Sequence, residues 1–296
     1  EKGERLEETL RNLRNTYGIQ ILGPNTLRVC VPEQHIDTIF VEHGDRALAG
    51  GGGIAFITQS GSIGVESLGI ASNTGFGMRA FIGLGNKVDL NEMDFLRYFS
   101  RDTQTNCLAF YLETFKDGRL FLEEAAEIAR KKPLVILKAG RTEAGASAVG
   151  SHTGRLSGSD KVVSGAFRQY GIQRTFDDEE LCDAAKTLAS LPPAKGNRIA
   201  VLTPAGGFGV MCTDYIESED RRAPLSMASL SEHTIAKIKE FSLDIASVKN
   251  PLDLTAGVDD SMYLGALEAL LDDKGIDILI CIAFFTPPGL SDALLE

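Results

Sequence analysis

Residues 199–210 repeat residues 54–65. Ile199-Ala-Val-Leu-Thr-Pro-Ala-Gly-Gly-Phe-Gly-Val210 lies over Ile54-Ala-Phe-Ile-Thr-Gln-Ser-Gly-Ser-Ile-Gly-Val65, with identity at the Ile, the Ala, the Thr, two glycines and the final Val. Each copy is a short continuous apolar run, the mark of a strand covered on both faces, followed by a Gly-rich turn and a helical pattern. Two further matches follow in the same order. Asn250-Pro-Leu-Asp-Leu254 echoes Asn86-Lys-Val-Asp-Leu90, and the run from Ile278 to Thr286 echoes Leu108 to Thr114, with Phe285 aligned to Glu113. Any single βα turn favours Gly and small polar residues, so one match has a convergent explanation. Three in sequence predict a duplicated α/β unit.

Between the copies, predicted strands at Met78–Ile82, Cys107–Leu112, Leu134–Lys138 and near Ile172 alternate with predicted helices at Met93–Phe99, Arg119–Lys131, Lys161–Gln169 and Glu179–Leu191. That alternation implies right-handed crossovers and an open parallel sheet. Pro192-Pro193-Ala-Lys-Gly196 is a boundary. The fold expectation is α/β, with two flavodoxin-like parallel-sheet domains at 54–191 and 197–296. The second is expected to be incomplete, because it stops at Glu296 before any counterpart of Leu134 to Leu191. Ahead of them, residues 4–16 place Leu6, Leu10 and Leu13 on one helical face. A strand is predicted at Ile19–Leu22, then a turn at Gly23-Pro24-Asn25 and an extended connector from Arg28 to Gly53. Residues 1–53 thus read as the tail of a preceding domain plus a connector.

With 41 acidic against 30 basic residues in 296, the net charge of −11 gives no support for nucleic-acid binding, which needs clustered cations. No apolar run is long enough to span a bilayer, and there is no signal-peptide pattern at Glu1. The five cysteines have no metal-ligand spacing, so no metal site is expected. Buried reduced thiols in a cytoplasmic protein are the expectation.

Three features carry chemistry. The turns at Ser60-Gly61-Ser62 and Ala205-Gly206-Gly207 each precede a helix, whose unpaired N–H groups and dipole form an anion site in outline. Two such domains packed about a pseudo-twofold axis would aim both helix starts at one phosphoryl group. His152 lies in Gly150-Ser-His-Thr-Gly-Arg-Leu-Ser-Gly-Ser-Asp160, read as a small-residue loop from which an imidazole can act as a nucleophile. Glu113 ends a buried strand, at the edge where open α/β sheets bind ligands, and is the natural group to orient that imidazole. His35, His43 and His233 lie in polar, solvated contexts.

Gly23-Pro-Asn, Thr58-Gln-Ser-Gly-Ser62, the strand ending at Glu113, Ser151-His-Thr-Gly154 with Ser157-Gly-Ser159, Pro204-Ala-Gly-Gly207 and Asn250-Pro-Leu-Asp253 together resemble the NDP-forming acyl-CoA synthetases. These are the ADP-forming acetyl-CoA synthetases and their relatives, similar to succinyl-CoA synthetase. The resemblance implies a phosphohistidine at His152, oriented by Glu113, with Ser60–Ser62 and Ala205–Gly207 as two phosphate-gripping helix starts. It further implies coenzyme A, as acyl-CoA, and phosphate as substrates, ADP or ATP with Mg2+ in the complete enzyme, and a separate ATP-grasp domain or subunit. Residues 1–53 would then hold the end of a CoA-binding domain. Thr26 stands where relatives usually have Cys. The alternatives are the regulatory, acyl-CoA-sensing half of a protein lysine acetyltransferase and a pure sensing or assembly module. Those acetyltransferases lack the histidine, so Ser151-His152-Thr153 argues for the enzyme.

Overall fold

The structure, a computed structural model, describes residues 2–42, 51–75, 77–153, 159–218, 224–283 and 289–295, without the side chains at 2, 4, 152, 153 and 295. It divides into two compact units, Glu1–Pro192 and Pro193–Glu296. In chain order the first contains α1 (Lys2–Tyr17), β1 (Val29–Val31), β2 (Ile36–Asp37), β3 (Ile54–Thr58), α2 (Gly61–Thr74), β4 (Met78–Gly83), α3 (Glu92–Arg101), β5 (Cys107–Leu112), α4 (Gly118–Ala129), β6 (Leu134–Lys138), α5 (Glu143–Thr153), α6 (Asp160–Gln169), β7 (Gln173–Thr175) and α7 (Asp178–Ser190).

Its seven strands lie in the order β2-β1-β4-β3-β5-β6-β7. From β4 to β7 all neighbours are parallel, which is the flavodoxin-like order. All five residues of β3 are buried, because helices cover both faces of the sheet. One face packs Phe56, Leu68, Phe81 and Leu181 together, and the other packs Ile57, Phe110, Phe121 and Phe167. Polar caps fix where helices start: Asn91 and Asp94 form a capping box on α3, and Asp117 and Asp177 cap α4 and α7.

Two expectations about residues 1–53 are corrected. Ile19–Leu22 is not a strand: the Ile21 N–H donates to Asp89 Oδ2 at 2.9 Å and its carbonyl accepts from Leu90 N at 3.1 Å, so a loop takes the groups a ladder would use. The stretch after Arg28 is not a free connector either, since β1 pairs antiparallel with β4 and β2 with β1. The helix expected at residues 4–16 forms as α1, with Leu6 and Leu13 exposed.

The second unit contains β8 (Arg198–Thr203), α8 (Gly206–Glu217), β9 (Ser226–Met227), α9 (Glu232–Lys239), β10 (Ser247–Val248), β11 (Leu252–Asp253), α10 (Asp260–Leu271) and β12 (Ile278–Cys281). The buried strand β8 pairs in parallel with β12, β11 and β9. Where β3 has the single neighbour β4, β8 has two short ones: β9 at Arg198–Ile199 and β11 at Leu202–Thr203. The Asn250 carboxamide fills the gap between them, accepting from Val201 N at 3.0 Å and donating to Ile199 O and Ala228 O at 2.7 and 2.9 Å. Phe285, aligned in sequence to Glu113, lies outside the described residues.

Cys30, Cys107 and Cys182 are buried. Burial pushes the Cys30 thiol up to about 11, with a smaller push from Asp37, and the thiols of Cys107 and Cys182 up to about 12.

Lys87 and Glu92 form a fully buried ion pair, Nζ to Oε2 at 2.9 Å. Lys87 also donates to Thr114 O at 2.6 Å, while Glu92 accepts from the Lys116 N–H. The pair therefore ties the loop after β4 to the loop after β5. Removing one member strands the other charge in the interior, so Lys87→Met is expected to destabilise the protein by about 3–5 kcal/mol, read as a shift in denaturant midpoint. Lys87→Met combined with Glu92→Gln should recover part of that loss.

Candidate functional site

In the order β4-β3-β5, the chain leaves β3 in one direction and reaches β5 on the other side, so β3 and β5 flank the topological switch point where such sheets bind ligands. Gln59 closes it. Its N–H donates to Tyr111 O at 3.0 Å, its Oε1 accepts from Glu113 N and Thr114 N at 3.0 and 3.1 Å, and its Nε2 donates to Thr114 Oγ1 at 3.2 Å. The segment after Gln59 is Ser60-Gly61-Ser62, so the helix start and Glu113 are brought to the same place by one side chain.

The two helix starts share a local design. Thr58 Oγ1 donates to Ser60 O at 2.7 Å and accepts from Ser60 N at 3.2 Å; Thr203 Oγ1 makes the same pair with Ala205 at 2.9 and 3.1 Å. Gly61 and Gly206 are the first residues of α2 and α8. In the following turn, a side chain at Gly64 would strike Phe81 at 2.8 Å and one at Gly209 would meet Pro251 at 3.0 Å, so close packing requires both glycines.

At the tips the starts differ. Around α2, Ser60 Oγ lies 3.1 Å from Ser62 Oγ and 3.5 Å from Ile63 N, so hydroxyls accompany the free N–H groups. A Cβ at Gly61 would make only ordinary contact, 3.5 Å from Leu27. The residues Ala205-Gly206-Gly207 at the start of α8 carry no hydroxyl of their own. A Cβ at Gly206 would fall 2.8 Å from Asp253 Oδ2, so this glycine makes room for a carboxylate of its own unit, while Gly207 faces open space.

Glu113 is buried at the end of β5. Its charge helps burial push the Tyr111 phenol up to about 12. On the adjacent strand, Lys138 pairs in register with Leu112 and is only 4% exposed, with Nζ donating to Ala139 O at 2.6 Å. Burial pulls the Lys138 ammonium down to about 8; Arg174 and Lys87 push the same way, and Asp160 and Glu113 oppose. The carboxyl edge of the sheet therefore holds Lys87 and Glu113 within electrostatic reach of Lys138.

The backbone of His152 lies on helix α5, which corrects the reading of a loop for Gly150–Thr153. The Ala-rich run from Glu143 favours helix without any apolar periodicity to announce it. Thr142 starts it, its Oγ1 accepting from Gly145 N at 3.0 Å. The backbone of His152 is thus one element downstream of β6, next to the strand that ends at Glu113. Its imidazole lies outside the described residues, as do residues 154–158.

Sequence reasoning missed Gln59 and Lys138. A charged residue ending an apolar strand is the signal that identified Glu113, and Lys138 ends β6 in the same way. The role of Gln59 depends on which strand lies beside β3, which sequence does not print. Among the described residues, no group of three or more His, Cys, Asp or Glu side chains is placed to hold a metal ion. No described helix is long and apolar enough to cross a membrane.

A flavodoxin-order sheet with a serine-rich helix start and a glutamate at its switch point defines a class of α/β ligand-binding domains, and comparison with known proteins narrows it. The family described as succinyl-CoA ligase like flavodoxin domain matches residues 51–188. The chain is 36% identical over 282 residues to the alpha subunit of ADP-forming acetate–CoA ligase II of Pyrococcus furiosus, across 95% of this chain and 60% of that one. The alpha subunit of ligase I from the same organism is 35% identical across 100% of this chain and 63% of the relative. Acetyl-coenzyme A synthetase 1 of Ca. Korarchaeum cryptofilum, solved with phosphate and ADP, has a TM-score of 0.84 at 34% identity, across 94% of this chain and 59% of that one. Residues 51–188 therefore carry a succinyl-CoA ligase like flavodoxin domain, and the chain is similar to the alpha subunits of ADP-forming acetate–CoA ligases, spanning 60–63% of the length of the two Pyrococcus subunits. Relatives of this kind do not favour the acetyltransferase alternative.

The Lys138 ammonium has a testable signature. Its folded value of about 8 lies below the ordinary 10.5, so between those values the unfolded chain binds more protons and this group makes stability rise with pH. Urea midpoints of the wild type and Lys138→Met at pH 7.5 and 10 are expected to show the wild type gaining relative to the variant at the higher pH. A pH-independent difference would contradict burial of the charge.

Proposed function

We propose that this chain is the CoA-ligase portion of an ADP-forming acyl-CoA synthetase, an acid–thiol ligase that interconverts acyl-CoA, phosphate and ADP with a carboxylic acid, CoA and ATP. The observation that carries the reading is the juxtaposition, at one switch point, of Glu113 and the Ser60–Ser62 helix start, with His152 on the helix that follows the next strand.

In the acyl-CoA direction, a phosphate oxygen attacks the thioester carbonyl and the CoA thiolate leaves, giving an acyl phosphate. One ring nitrogen of His152 then attacks phosphorus, the bond from phosphorus to the acyl oxygen breaks, and the carboxylate departs. Glu113 accepts a hydrogen bond from the other ring nitrogen and stabilises the cationic ring as the bond forms. Backbone N–H groups at Ser60–Ser62 hold the phosphoryl oxygens, a role also proposed for Ala205–Gly207 once Asp253 is accommodated. The phosphoryl group passes to the terminal oxygen of ADP on an ATP-grasp domain or subunit, where Mg2+ accompanies the nucleotide. A CoA-binding domain completes the assembly, and the setting is cytoplasmic. Acyl-CoA and phosphate are the small-molecule partners; neither nucleic acid nor membrane takes part.

In the assembled enzyme, incubation with labelled ATP and Mg2+ is expected to give an acid-labile, base-stable phosphate that disappears in His152→Ala. Persistence of the label in that variant would falsify the assignment. Glu113→Gln should fold normally and label more slowly, by about 10²–10⁴-fold if the carboxylate acts in the transfer itself. Gly61→Val, which meets no tight protein contact at its Cβ, should reduce labelling by crowding the anion.

A further inference from the structure

The segment bearing His152 runs from the end of β6 to Asp160 at the start of α6, and both of its roots are linked to one aromatic ring, the far one through Arg174. The guanidinium of Arg141, at the near root, sits 4.8 Å from the centroid of Phe176. The guanidinium of Arg174 sits 5.5 Å from the same centroid. Arg174 then reaches the far root: Nη2 donates to Asp160 Oδ1, and Nη1 donates to Asp160 O at 3.4 Å and to Ser164 Oγ. Phe176 is itself held in place, because its N–H donates to Glu180 Oε2 at 2.8 Å at the capped start of α7. Arg174 is buried on β7, paired with Ile136 of β6. The ring therefore stands on rigid elements, and two cations fasten the roots of α5 and α6 to it.

We propose that Arg141, Phe176 and Arg174 form a clamp that fixes both roots of the His152 segment and so sets the position from which the imidazole meets its phosphoryl donor. These are positioning residues, acting through the backbone at the roots of the segment. The functional half of the inference rests on the phosphohistidine reading, whereas the clamp rests on the contacts alone. A guanidinium is attracted to the face of an aromatic ring, not to an aliphatic side chain of similar bulk. With leucine at position 176 Arg174 would keep its bonds to Asp160 and Ser164, but the apolar volume would remain without the aromatic hold on Arg141. Tyrosine would keep it. Freeing a root widens the spread of positions available to His152, and rates fall steeply with misplacement of a reacting group.

The test compares Phe176→Leu and Phe176→Tyr with the wild type by two measurements on the assembled enzyme. Amide hydrogen exchange is expected to rise about tenfold across Glu143–Thr153 in Phe176→Leu, with β3 and β5 unchanged, and to stay at the wild-type level in Phe176→Tyr. Labelling of His152 from ATP should slow by about tenfold in Phe176→Leu at an unchanged KM for ATP, and remain near wild type in Phe176→Tyr. Arg141→Met, at an exposed residue, repeats the experiment without touching the core and should move both readouts in the same direction. Wild-type exchange in α5 of both Phe176→Leu and Arg141→Met overturns the clamp, whatever the labelling. Faster exchange with wild-type labelling overturns the positioning role. Absence of label in the wild type itself removes the phosphohistidine reading and the positioning role with it, while the exchange data still judge the clamp.

Discussion

The two bonds from Gln59 Oε1 to the N–H groups of Glu113 and Thr114 are the interaction on which the site depends. At a switch point the neighbouring strands part, and the last N–H groups of β5 lose the partners a continuing ladder would give. Buried donors left unmade cost about 1–3 kcal/mol each. A single carboxamide satisfies both and keeps the backbone of Glu113 in register while the chain turns away. Lys87 secures the same turn from its acceptor side, through Thr114 O. The glutamate thus projects from a root whose N–H and following carbonyl are both pinned by buried side chains. That is the preorganisation a residue orienting another group requires.

What could be read from sequence follows what burial writes into it. The strands β3 to β6 are covered on both faces and appear as apolar runs, so their order and spacing yielded the parallel sheet. Glu113 stood out because a charge ends such a run. The edge strands β1 and β2 did not, since segments of two or three residues at a sheet margin carry too little pattern to separate from a connector. The helix under His152 was hidden for a different reason: Glu143 to Thr153 is rich in Ala and Gly and buries little beyond Val149, so it has propensity without periodicity. The α1 leucines show the converse, a periodic stripe that the described structure leaves exposed. Lys138 was visible as a strand end, but its unusual ammonium depends on Arg174, Asp160 and Glu113, which the fold brings from distant positions.

The duplicated turns have diverged in charge while keeping their scaffold. Threonine hydroxyls pin the same two backbone groups in both copies, and the glycine one turn into each helix serves close packing in both. At the tips, the first copy presents hydroxyls and the second a carboxylate at Gly206. An incoming dianion meets a like charge at α8 and none of that kind at α2. Of the two starts taken separately, Ser60–Ser62 is the one whose described surroundings suit an anion better on electrostatic grounds.

The buried cysteines acquire meaning beside a thioester. A protein that handles activated acyl groups must keep its own sulfur from intercepting them, and the thiolate is the form that attacks. In the first unit, with Cys107 and Cys182 held near 12 and Cys30 near 11, the thiolate fraction at neutral pH is on the order of one part in ten thousand or less. Packing chosen for the core thus also keeps these three sulfurs in the thiol form, which under the proposed reaction would leave an acyl group no competing sulfur acceptor among them.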